Sequence, residues 1–120
     1  MPVKIKRIYD PYSKDDGYRI LVDRLWPRGI KKAEAHIDKW MKEIAPSTSL
    51  RKWFHQEESE TDHWNQFVKS YQAELKKSNI VEELLLDIES HQTVTLLYAA
   101  KNEEHNHALV LLQFIKDHSA

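Results

Sequence analysis

Tyr18-Arg19-Ile20-Leu21-Val22-Asp23 is a run of aliphatic and β-branched residues with few polar members. That is the pattern of a strand buried on both faces, the kind found inside parallel sheets. Trp26-Pro27-Arg28-Gly29 stops it, because proline restricts its predecessor and glycine permits unusual backbone angles. Thr93-Val94-Thr95-Leu96-Leu97-Tyr98 repeats the pattern near the other end of the chain and predicts a second buried strand.

Working outward, Val3, Ile5, Ile8 and Tyr9 form a short apolar-alternating run that ends at the turn signal Asp10-Pro11. Tyr12 to Gly17 reads as a polar loop, and Lys31 to His36 as one helical turn. In Ile37 to Ile44 the apolar residues fit helical spacing, yet the segment is short and stops at Pro46. Ser47 or Ser49 is placed to cap a helix carrying Leu50, Trp53 and Phe54. The clearest helix runs from about Asp62 to Lys77, where Trp64, Phe67, Val68, Tyr71 and Leu75 make one apolar stripe. Ser59 and Asp62 suggest its start through a capping-box-like spacing. Asn79, with Glu82 three residues on, opens a helix holding Ile80, Leu84, Leu85 and Ile88, which His91-Gln92 ends. The last helix is expected from near Glu103 to His118, with Ala108, Leu111, Leu112 and Ile115 inward.

Strands thus alternate with helices, which predicts an α/β layered domain with a small, mostly parallel central sheet flanked by helices. One connection resists a parallel arrangement. The loop from Asp10 to Gly17 is shorter than the dozen or so residues a parallel crossover usually takes, so the first two strands read as an antiparallel pair.

The 120 residues suit a single domain over positions 1–120. With no cysteine there is no disulfide framework, no thiol nucleophile and no cysteine-ligated metal. Hydrophobic residues at 41%, with 2 Gly and 4 Pro, exclude collagen-like and disordered compositions. The opening MPVKIKRIYD lacks the apolar core of a signal peptide and no run approaches a membrane span, so a cytoplasmic protein without a membrane partner is expected. Net charge −1 conceals a gradient: nine Lys/Arg against four Asp over residues 1–32, and three Lys against nine Asp/Glu over 56–90. A duplex-binding domain usually reads basic overall, whereas a locally basic region suits one small anion.

In open α/β sheets, ligands sit beyond the carboxyl ends of the strands. Two polar segments fall there, residues 22–29 and 100–107. Arg24 and Arg28 supply planar forks for phosphate or carboxylate, and Trp26 supplies a flat apolar surface. Asn102 is placed to cap the last helix, Lys101 adds a point charge, and helix spacing would set Glu103 and His107 on one side with Asn106 nearby. Each has a plainer alternative: Asp23 and Arg24 in a strand-end ion network, Trp26 in turn packing, Asn102 as a cap, His107 as a core histidine. His105 and His107 point apart at i,i+2 on a helix, so no metal site is read. Only Gly17 and Gly29 are available, so no glycine-rich phosphate loop exists.

Several segments together resemble the YeaO-like branch of domain-of-unknown-function family 488. They are Tyr9-Asp10, Asp16-Gly17-Tyr18-Arg19, Val22-Asp23-Arg24-Leu25-Trp26-Pro27-Arg28-Gly29, Ile44-Ala45-Pro46-Ser47, Leu50-Arg51, Phe54-His55, and Leu96-Leu97-Tyr98-Ala99-Ala100-Lys101-Asn102 with Asn106-His107-Ala108. The resemblance covers nearly the whole chain, and the Asp-Arg-Leu-Trp-Pro-Arg-Gly run is highly specific. It implies no established activity. It does imply a strand for Ile37 to Ile44 despite the helical spacing. It also implies that the wider family carries cysteines at the positions matching Tyr98 and Asn106, and a glutamate and an arginine at those matching Ala100 and Ala108. This chain departs at all four, so thiol or carboxylate chemistry does not carry over to it.

The leading expectation is a domain that binds an anionic, nucleotide-like or phosphorylated ligand at the strand carboxyl ends, with binding favoured over turnover. Arg24, Arg28 and Arg51 would act as anion forks, Trp26 as a stacking surface and Asp23 as the orienter of an arginine. Lys101, Asn102, Asn106 and His107 would complete the site, with His107 the one general base suited to neutral pH. Neither a cofactor nor an oligomeric state is indicated. One rival is an interaction module using the aromatic helix 62–77, which requires Trp64 or Tyr71 exposed. The other is a nucleic-acid binder, which requires the basic first third to form one continuous face.

Overall fold

Four parallel strands build one sheet in a computed structural model of the chain, which describes residues 3–56 and 61–118. They are β1 (Val3–Arg7), β2 (Tyr18–Leu21), β3 (Lys39–Trp40) and β4 (Val94–Tyr98), in the spatial order β1-β4-β2-β3. Strand β4 is the axis of the sheet. Val94 is the register partner of both Val3 and Tyr18, and Leu97 that of both Lys6 and Leu21. All five β4 residues are buried, which explains the unbroken apolar pattern of the segment.

The expected antiparallel pairing of the first two strands is therefore corrected: they do not pair, because β4 is inserted between them, and both run parallel to it. Physically, the connection from Ile8 to Gly17 has only to travel back along a five-residue strand and across one neighbour. Ten extended residues reach about 33 Å, roughly twice the length of such a strand, so no crossover helix is required. The crossover is fastened where it arrives. Ser13 caps a single 3-10 turn over Lys14–Asp16, and the Thr95 hydroxyl donates to the Asp16 carbonyl at 2.6 Å. At Gly17 φ is +67°, and a Cβ there would lie 2.3 Å from the Thr93 carbonyl oxygen. Only glycine satisfies both conditions.

A buried ion network locks the crossover onto the sheet. Asp16 is 1% exposed and Arg19 2%, and the two bond directly through their side chains. Lys6 Nζ donates to the same carboxylate at 3.0 Å, and so does the Ser13 amide at 3.2 Å. Two further Arg19 donors reach the carbonyls of His36 (3.0 Å) and Ala35 (3.2 Å), so each guanidinium nitrogen has an acceptor. Burial by itself would raise the Asp16 carboxyl, but the Lys6, Ser13 and Arg19 donors outweigh it and hold the group below the ordinary carboxylate value.

Side chains alternate across the sheet. Ile20, Val22, Val94 and Leu96 face one cluster with α2 (Thr48–Gln56), α3 (Thr61–Lys77), α4 (Ile80–Glu89) and α5 (His107–His118). Leu21 and Leu97 face a smaller cluster with Ile8, closed by Trp26, Ile30, Ile37 and Trp40 and flanked by the single turn α1 (Lys32–Ala35). Ser47 is the cap of α2, its Oγ accepting from the Leu50 amide at 3.2 Å. At the start of α4 the side-chain acceptor is Ser78 rather than Asn79. The Ser59 cap expected for α3 lies outside the described residues. The Ile37–Ile44 expectation is corrected to a two-residue strand followed by a 3-10 turn over Lys42–Ile44. Trp40 pairs with Leu21 in the sheet, while Met41 and Ile44, three residues apart, are buried together by the turn. Among the described residues no helix is long and apolar enough to cross a membrane.

Two stability measurements test this account. Phe67 is 2% exposed in the main core, so Phe67→Ala is expected to cost about 3–5 kcal/mol in chemical denaturation. Asp16→Asn strands the buried Arg19 charge and is expected to cost roughly 3–5 kcal/mol at pH 7. Because the folded carboxyl is held low, its contribution is complete above the unfolded pKa of about 3.9 and is lost as pH falls through the folded value. The gap between wild type and Asp16→Asn should therefore narrow in acid. A pH-independent gap would show that the carboxylate charge is not what holds Arg19.

Candidate functional site

A cleft of about 880 Å³ opens beyond the carboxyl ends of β2, β3 and β4 on the helical side of the sheet. Its size falls within the range of small-ligand sites. Asp23, Arg24 and Leu25 enter it from the loop after β2, Ala45 and Pro46 from the loop after β3, and Ala99–Asn102 with His105–His107 from the segment after β4. Helix α2 contributes Arg51, Phe54 and His55, and α3 contributes His63, Trp64, Asn65 and Phe67. Residues 23–25 and 99–107, distant in sequence, thus converge at the edge where this sheet type leaves room for a ligand.

Asp23 ties the floor together. Its Oδ2 accepts from the Ala99 amide at 3.0 Å, and its backbone carbonyl accepts from the Trp40 indole at 2.7 Å. His107 Nε2 donates to the Val22 carbonyl at 2.9 Å and lies 3.1 Å from Asp23 Oδ1. One N–H cannot be linear to both, and Asp23 Oδ1 is left buried without a hydrogen bond of its own. With both neighbours acceptors, Nε2 carries the proton, and only Nδ1 of His107 is open to a ligand.

Among the described residues the cleft holds three permanent cations and a single carboxylate, that of Asp23. Arg24 is half committed: Nε donates to the Pro46 carbonyl at 3.0 Å and Nη2 to that of Ala45 at 3.2 Å. Arg51 is not. Its guanidinium makes no hydrogen bond or ion pair among the described residues, and its Nε is buried without a partner. Lys101 is exposed at the rim. His55 follows Arg51 by one helical turn, and burial, then the Arg51 charge and His107, hold its imidazole below the ordinary value.

Beside Arg51 stands an aromatic wall. Phe54 stacks on Phe67 at 4.2 Å, and Trp64 lies 5.8 Å from Phe54 between ring centroids. His63 also lines the cleft, its ring stacked on Phe54 at 5.2 Å and its Nε2 2.8 Å from the Phe54 carbonyl. The exposed His105 lies over the Trp64 indole at 4.6 Å and 17°. These rings were not among the expected site residues. The one signal that pointed to them is the spacing Arg51–Phe54–His55, which sets all three on one side of α2.

Trp26 and Arg28 lie outside this cleft. The Trp26 indole donates to the Ile30 carbonyl at 2.7 Å and meets Trp40 edge-on at 5.4 Å in the opposite core cluster. Arg28 is exposed in the turn closed by Gly29 (φ +76°), where its carbonyl accepts from Tyr9. The last helix also begins later than expected, at His107. Asn102 Oδ1 takes the amides of Glu104 and His105, both at 2.9 Å, and so diverts the chain into a local turn. Asn106, 2% exposed, is the true cap of α5: Oδ1 accepts from the Leu109 amide at 3.0 Å while Nδ2 donates to the Asn102 carbonyl. Glu103 and His107 consequently do not share a helical face. Ala100 and Asn106 line the cleft, whereas Tyr98 and Ala108 are buried in the core.

Comparison with known proteins places the chain among relatives. It is 51% identical over 116 residues to the uncharacterized protein YeaO of Escherichia coli (strain K12), covering 97% of this chain and 98% of that one. It is 37% identical over 113 residues to the uncharacterized protein Rv3073c of Mycobacterium tuberculosis (strain ATCC 25618 / H37Rv), covering 94% of this chain and 92% of that one. No solved structure matches significantly. The family model described as "Inactive DUF488-N3 subclade" matches residues 2–120, and the chain, with its cleft at the strand ends, belongs to that family.

Proposed function

We propose that this protein binds a small anionic ligand, phosphorylated or nucleotide-like, in the cleft at the strand carboxyl ends, without turning it over. The observation that carries this reading is Arg51. A guanidinium with a buried, unpartnered Nε costs free energy unless an acceptor arrives, and it lines a cleft of ligand size. Arg24 and Lys101 add positive potential at the same place.

Binding without turnover is supported by what the cleft lining offers. Among the described residues it contains no serine, threonine, tyrosine or cysteine, so none of these presents a hydroxyl or thiol beside His107 to be activated. His107 Nε2 is committed to backbone and Asp23, which makes the ring a strut between β2 and α5 with Nδ1 as a ligand contact. The family description as an inactive subclade agrees. A cytoplasmic setting is consistent with the absence of cysteine and completes the proposal.

The rivals find less support. Tyr71 is fully buried, with its hydroxyl on the Ile44 carbonyl at 2.7 Å, and Trp64 turns into the cleft, so the aromatic stripe faces inward. The basic first third is divided: Lys6 and Arg19 hold Asp16, Arg7 holds the carbonyl of Ala100, and Arg24 lies in the cleft.

The deciding variant is Arg51→Met, examined by calorimetric titration with inorganic phosphate and ribose 5-phosphate. Loss of a charge-assisted fork worth about 1.5–3 kcal/mol should weaken binding by roughly tenfold or more. The melting temperature should hold or rise, since an unpaired buried donor is removed. A fall in melting temperature with unchanged affinity would reject the assignment of Arg51 as the anion fork. Arg28→Ala, outside the cleft, is expected to change neither quantity.

His55 supplies an independent readout. A bound anion offsets the Arg51 and His107 effects that, with burial, depress it, so ligand should raise its pKa. Binding then takes up a proton, and affinity should grow as pH falls through the bound-state value, levelling off below the free-state value. Following the His55 ring by NMR with and without phosphate measures this. A downward shift on binding would place the anion elsewhere.

A further inference from the structure

We infer that the ligand is a free nucleoside monophosphate, or a molecule of that build, with its phosphate at Arg51 and its flat ring against the Phe54–Trp64 wall. The inference rests on the anion-binding reading and specifies it. Arg51 and Phe54 are one helical turn apart on α2, which sets their Cβ atoms roughly 5–6 Å from one another, and both line the cleft. A single small molecule can therefore touch a cation with one end and an aromatic face with the other.

The wall is built to take a flat heterocycle. Phe54 is fixed from behind by its stack on Phe67, and Trp64 by Phe67 at 5.6 Å. The outer face of the indole already carries a planar heteroaromatic ring, the His105 imidazole, nearly parallel at 17°. His105 is exposed and sits on the loop before α5, so its ring can exchange for that of a ligand at little cost in core packing. An inorganic anion or a sugar phosphate has no flat ring that could take the place of the His105 imidazole on the indole.

Charge and backbone limit the anion to one phosphate. Of the three cations in the cleft, Arg24 has already given two of its donors to carbonyls. Neither glycine of the chain lines the cleft, so the close backbone approach that a pyrophosphate cradle requires is missing. A dianionic monophosphate matches Arg51, Lys101 and the open side of Arg24.

The test is calorimetric titration of the full chain with AMP, CMP, ribose 5-phosphate, inorganic phosphate and a 5′-phosphorylated oligonucleotide. The monophosphates are expected to bind about tenfold or more tighter than ribose 5-phosphate, the usual increment for one stacked base. Trp64→Leu should bring AMP down to the level of ribose 5-phosphate and leave ribose 5-phosphate itself unchanged, while Trp64→Phe keeps most of the difference. Equal affinity of wild type for AMP, CMP and ribose 5-phosphate overturns the nucleotide assignment and leaves the anion site standing. Oligonucleotide binding as tight as AMP overturns the free-nucleotide assignment in favour of a strand end. If no probe binds, or if Arg51→Met leaves every affinity unchanged, the anion-binding reading itself fails. Should Trp64→Leu not fold, the wild-type series alone still decides.

Discussion

The carboxylate of Asp23 is the constraint on which the site end of the molecule depends. It stands two residues beyond the last paired residue of β2, where the strand would otherwise splay from β4, and its Oδ2 takes the first amide after β4, that of Ala99. Its own carbonyl holds Trp40 at the end of β3, and Oδ1 faces the first residue of α5, His107. One residue, through its side chain and its backbone carbonyl, thereby sets the spacing of three strand ends and the helix that covers them. The cleft exists because these ends are held together at the floor while α2 and α3 stand off as its far wall. A carboxylate suits the position because it has acceptors to spare for converging donors, which no apolar residue could offer.

The basic residues divide the work by location. Lys6 and Arg19 are consumed by Asp16, and Lys39 binds Glu83 at 2.9 Å and Asp87 at 2.7 Å, fastening α4 to the sheet edge. Arg7 closes on backbone carbonyls after β4. What remains around the cleft is Arg51, unpaired among the described residues, with the half-committed Arg24 and the exposed Lys101. A chain of net charge −1 can therefore present a locally positive cleft, because among the described lining residues three cations face one carboxylate. The same division explains why an excess of basic residues in the first third does not produce a basic face.

Membership of a subclade described as inactive fits a cleft whose lining, among the described residues, includes no serine, threonine, tyrosine or cysteine. At Asn106, one of the positions where the wider family resemblance places a cysteine, this chain uses both ends of an amide to cap α5 and close the Asn102 turn. The polar atoms there serve structure. The proposed anion site draws instead on Arg51, whose Nε is buried without a partner, beside the Phe54 and Trp64 rings.

The apolar runs at 18–23 and 93–98 were sufficient to predict buried strands, and the stripe from Trp64 to Leu75 its helix, because burial on a sheet or a helix face imposes a period on local sequence. Asp23, Arg24, Lys101, Asn102, Asn106 and His107 could likewise be marked as neighbours of strand ends. Strand order could not be read in this way. Whether β1 pairs with β2 or admits β4 between them depends on a contact between residues some ninety positions apart, worth nothing until the chain has closed on itself. The same holds for the fate of individual polar groups. Trp26 and Arg28 sit in the same short loop as Arg24, yet Trp26 serves the opposite core and Arg28 faces solvent, since a turn sends successive side chains in directions that local spacing does not encode. Composition and pattern determined what kinds of elements and charges the chain has. Only tertiary packing decided which cations were left without a partner, because pairing is settled by distance in space.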